Sequence, residues 1–81
     1  MKLADSKLTG HDYINIGHLN LCLGERQLAL ENYRKSITEG GINTIEFTRI
    51  MEDDKDIIER NGVDPEDLPI IIDHILFEYD V

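Results

Sequence analysis

Read for hydrophobic and polar positions, the chain divides into four segments of helical period. Tyr13, Ile16, Gly17, Asn20 and Leu23 fall on one face of a helix predicted from about Asp12 to Leu23. Thr9 or Gly10 can cap it, Asp12 complements its dipole, and Gly24 stops it. A second helix is predicted from Glu25 or Arg26 to Thr38, with Ala29, Leu30, Tyr33, Ser36 and Ile37 inward and Gly40-Gly41 as its end. A third starts at Asn43, whose spacing to Glu46 has the character of a capping box. Its apolar positions Phe47, Ile50, Met51, Ile57 and Ile58 keep phase to Arg60, with a candidate break at Asp53-Asp54-Lys55-Asp56 and a stop at Asn61-Gly62. The last segment begins near Leu68, where Pro69 is tolerated in a first helical turn. Leu68, Ile71, Ile72, Ile75, Leu76 and Tyr79 form its stripe, and Ile70 and Phe77 lie outside it. Its β-branched content leaves a strand as the alternative. The expectation is one all-α domain over residues 1–81, with four to five helices.

The first two segments carry a more specific pattern. Tyr13, the pair Ile16-Gly17, Gly24, Ala29, Tyr33 and Ser36 stand at the spacing of large, small and turn positions in a tetratricopeptide repeat of about 34 residues, which residues 10–43 resemble. The resemblance implies a helical hairpin in which Gly17 and Ala29 allow close helix approach and Tyr13 and Tyr33 fill the flanks. Asn20 departs from the pattern by replacing an aromatic, so thinner packing or a hydrogen bond is expected there. Gly41 stands where the family usually has its terminal proline. One such hairpin cannot bury its apolar face alone. Residues 44–81 are expected to cap it, within the C-terminal part of a larger repeat protein or a self-associating domain.

The resemblance implies a partner-binding groove on the first helix, at His11, Ile14, His18, Leu21 and Cys22. Asn15 occupies a position that holds a partner's carboxylate in some family members, but the basic residues of such a clamp are missing. The spacing of His11, Ile14, His18 and Leu21 also defines a stripe distinct from that of Tyr13 and Ile16. Packing of Ile14 and Leu21 against the last helix of the same chain is the competing reading. The over-apolar last helix suggests a second role, homodimerisation through Ile72, Ile75, Leu76 and Phe77.

Charge narrows the partners. Eight Lys and Arg against seventeen Asp and Glu give a formal charge of -9, which repels nucleic-acid phosphates and anionic lipid and favours basic or neutral proteins. Cys22 is the lone cysteine, so no intramolecular disulfide forms. With no apolar run of about 20 residues and no signal peptide, a cytoplasmic setting is expected. His11, His18 and Cys22 raise a third possibility, an acidic metal-sensing domain. However, the histidines lie seven residues apart and nothing completes a ligand set, so neither metal nor cofactor is expected. The run Glu52-Asp53-Asp54-Lys55-Asp56 lacks the alternation and glycine of a calcium loop. No nucleophile or phosphate-cradle motif supports an enzyme. The function expected is a non-catalytic protein-interaction or scaffold module.

Overall fold

The computed structural model describes residues 8–79, which form five helices: α1 (Gly10–Cys22), α2 (Arg26–Thr38), α3 (Thr44–Asp53), α4 (Lys55–Arg60) and α5 (Asp67–Tyr79). The domain is all-α, and the last segment is a helix rather than a strand. Local chemistry sets the ends. Thr9 Oγ1 accepts from the Asp12 N–H at 3.1 Å while the Thr9 N–H donates to Asp12 Oδ2 at 2.9 Å, a reciprocal box that opens α1. Gly24, at φ 79, turns the chain into α2 in a conformation that side chains disfavour. At α3 only the Asn43 half of the expected box forms, its side chain accepting from the Glu46 N–H at 2.8 Å. The break among the acidic residues falls at Asp54, which closes α3 and opens α4.

Helices α1 and α2 pack as a hairpin, and two features allow it. A Cβ on Gly17 would lie 2.5 Å from Cε1 of Tyr33, so the absent side chain is the space the tyrosine ring fills. At the hairpin's open end Gly10 and Gly40 meet backbone to backbone, and a Cβ on Gly40 would collide with the Gly10 main chain. The close approach expected at Gly17 and Ala29 is therefore distributed differently. Gly17 meets an aromatic face, and the main chains meet at Gly10 and Gly40. Of the two alternatives at Asn20, thinner packing or a hydrogen bond, the hydrogen bond is the one seen, with Asn32 Nδ2 donating to Asn20 Oδ1 at 2.9 Å.

The core joins this hairpin to the later helices. Ile14, Ala29, Tyr33, Phe47, Met51, Ile58, Leu68, Ile71 and Ile75 are all buried. The Tyr33 ring stands edge-on to both His18 and Phe47, with centroids 5.7 Å apart in each case. Ion pairs lace the outer seam between α2 and α5. Arg26 Nη1 lies 3.0 Å from Asp67 Oδ1, and Arg34 Nε donates to Glu78 Oε1 at 2.8 Å. The order of these pairs makes the two helices roughly parallel. Arg34 Nη2 also lies 3.1 Å from His74 Nε2.

The buried face of α1 differs from the one expected. Gly10, Ile14, Gly17 and Leu21 are inside, whereas Leu23 is 71 % exposed. The reason is that α1 touches α4 as well as α2, so its buried stripe points between the two. Ile42 and Val63, in connecting segments, also join the core, with Ile42 against Gly10.

Candidate functional site

The face of α1 turned toward α4 forms one wall of an apolar cleft of about 410 Å³. Asn15, His18, Leu19 and Cys22 make this wall, and Asp54, Ile57, Ile58 and Asn61 make the other. Both walls follow the same i, i+3, i+4, i+7 spacing, the signature of one helical face two turns long. Leu19 and Ile57 are 63 % and 60 % exposed, so large apolar side chains stand open to solvent on both sides.

A polar chain crosses the floor. His18 Nδ1 is 2.8 Å from the Tyr33 hydroxyl and His18 Nε2 is 3.0 Å from Asp54 Oδ2. The carboxylate only accepts, so Nε2 carries the proton of neutral His18, and Nδ1 accepts from the Tyr33 O–H. One side chain thus ties α1 to α2 and to the α3–α4 junction. Burial lowers the His18 pKa from its ordinary value, against the opposing hydrogen bond and charge of Asp54. Burial likewise raises the Tyr33 hydroxyl well above its ordinary value, with Cys22 and Asp54 adding to the effect, so it stays a donor. Both ring nitrogens of His18 are engaged, leaving neither to deprotonate Cys22, which lines the same cleft. The arrangement ties α1, α2 and the α3–α4 junction together beside an apolar cleft.

The six residues of the expected groove separate into three places. Asn15, His18 and Cys22 line the cleft. Ile14 and Leu21 do not, because they are buried in the core at 1 % and 9 % exposure and are unavailable to a partner. His11 stands outside the cleft, with Nε2 3.9 Å from Glu46 Oε2. Sequence reasoning missed Leu19, Asp54, Ile57, Ile58 and Asn61. The available signal was Ile57 and Ile58 side by side, since a short helix buries only one of two adjacent positions.

The expected dimer surface also divides. Ile75 is fully buried, and Ile72 and Leu76 are half-buried because the inward stripe of α5 is spent on the core. Only Phe77, 84 % exposed, is free for another chain. Among the described residues no three potential metal ligands converge, and no helix is long and apolar enough to cross a membrane. Comparison with family models, curated proteins and solved structures finds no match to this chain.

Proposed function

We propose that this domain is a non-catalytic protein-interaction or scaffold module that holds a partner segment in the α1–α4 cleft. The observation that carries the reading is the pair of matched helical walls with Leu19 and Ile57 exposed on them. Two stripes of that length, about 10 Å for seven residues, accommodate about two turns of a third helix. The tetratricopeptide-like hairpin supports the same role, as part of a larger repeat protein working in the cytoplasm. Its groove would then be built from α1 and α4, not from the central face of α1.

The test is selection of displayed helical peptides against the folded protein. Peptides whose binding is lost with Leu19→Glu and Ile57→Glu are expected. Failure to recover any peptide dependent on those two positions would refute the reading.

A second reading, self-association through α5, is favoured by Phe77 at 84 % and Ile70 at 54 % exposure, seven residues apart on one helix face. Sedimentation at high concentration decides it. A dimer dissolved by Phe77→Asp supports it, and a monomer throughout ends it.

A further inference from the structure

The cleft has one charged lining group, the Asp54 carboxylate, and its setting is unusual. Its Oδ2 is held by His18 Nε2 at 3.0 Å, while its Oδ1 takes no hydrogen bond among the described residues. The side chain is 34 % exposed, so it is anchored but open on one side. No lining residue is Lys or Arg. The adjacent Lys55 is turned along its own helix, with Nζ 3.4 Å from Glu59 Oε2. Asp53 and Asp56 stand exposed on either side of this stretch, and the whole chain carries -9. A carboxylate fixed on one oxygen, part of the wall of a mostly apolar cleft and short of positive charge, is prepared for a second, charge-assisted hydrogen bond.

We propose that the partner is an amphipathic helix that lays two apolar side chains against Leu19 and Ile57 and places a Lys or Arg on Asp54, with His18 holding the carboxylate in position. This rests on the peptide-binding reading above and adds the chemistry of the occupant. The apolar anchors are set by the exposed leucine and isoleucine. The cation is set by the free carboxylate oxygen. A helix fits both because a cation three or four residues from an anchor lies on the same face. His18 acts as a positioning residue: its Nε2–H occupies Oδ2 and so leaves Oδ1 as the oxygen offered to the partner.

Peptides selected against the full chain test this directly. Lys or Arg is expected to be enriched three or four residues from an apolar anchor. Acetylating that Lys, or replacing that Arg by citrulline, is expected to weaken binding about tenfold. The same peptides are expected to bind Asp54→Asn about tenfold more weakly, with no further loss when the neutralised peptide meets Asp54→Asn. His18→Gln is expected to reduce this coupling between Asp54 and the peptide cation while leaving the apolar anchors' contribution in place. Acetylation and citrulline leave the protein untouched, so a poorly folding variant does not obscure the answer. Peptides that depend on Leu19 and Ile57 but show no cation enrichment, or bind unchanged after neutralisation, overturn this inference and leave the peptide-binding reading standing. Recovery of no peptide dependent on Leu19 and Ile57 overturns both.

Discussion

Helix α1 meets two neighbours in opposite ways. Against α2 it is closed: the Tyr33 ring fills the space over Gly17, and Gly10 meets Gly40 main chain to main chain. Against α4 it is open: Leu19 and Ile57 line a common cleft with most of their surface in water. The same 13-residue helix therefore supplies a sealed flank and an unsealed one. The difference lies in side-chain size and placement. Small residues on the α2 side let a large aromatic close the gap, while the α4 side carries medium-sized apolar residues with no third element over them. A sealed flank contributes stability. An unsealed one leaves apolar surface that burial by a partner would stabilise, at roughly 25 cal/mol per Å² before the costs of association.

The contrast can be broken most severely on the sealed side. Tyr33→Ala removes a fully buried ring that packs on Gly17, His18 and Phe47, and is expected to cost about 3–5 kcal/mol in urea unfolding. For a small domain of this kind that is a large share of the total. Gly17→Val drives a side chain into the same ring and is expected to cost about 1–3 kcal/mol.

His18 joins the two flanks, and its variant sharpens the comparison through pH. His18→Phe leaves the buried Tyr33 O–H without its acceptor, at about 1–3 kcal/mol. The folded wild type holds a proton on His18 less readily than the unfolded chain, whose histidine has the ordinary value of 6.5. Protonation therefore favours unfolding. The contribution is complete above about pH 6.5 and is lost as pH falls through that value toward the lower folded one. The groups bonded to the ring are the Tyr33 hydroxyl from α2 and the Asp54 carboxylate from the α3–α4 junction. Melting temperatures followed from pH 8 to pH 5 are expected to fall in the wild type, with this step missing in His18→Phe. An unchanged step would remove His18 as its source.

The smallest effects on stability belong to the surface. Arg34→Ala, which opens the exposed seam between α2 and α5, is expected to cost no more than about 1 kcal/mol and to lose that effect in high salt. Leu19→Glu and Ile57→Glu are expected to change unfolding free energy by about 0.5 kcal/mol or less, because both side chains are already largely in water. Their consequence should appear only in peptide binding. Substantial destabilisation by either would show that the cleft side of α1 is less open than its exposure indicates.

What the sequence determined by itself was local. The existence of the helices, a cap at Thr9 or Gly10, the stops at Gly24, Gly40-Gly41 and Asn61-Gly62, a break within the acidic run and the inward positions Leu68, Ile71 and Ile75 of α5 (though not Tyr79, which is exposed) all follow from neighbours a few residues apart, whose effects are written in order along the chain. At Asn20 the sequence left thinner packing or a hydrogen bond open, and the partner, Asn32, comes from the other helix of the hairpin. What only the tertiary structure decided was the use of each face. Helix α1 carries apolar residues on most of its circumference, so its own periodicity could not choose between burying Ile14 and Leu21 and burying Tyr13, Ile16 and Leu23. The choice fell to α4, which contacts α1 from far along the chain and brings Asp54 to His18 across 36 residues. Such a contact leaves no periodic mark in either segment, because it depends on where two separately formed helices come to rest.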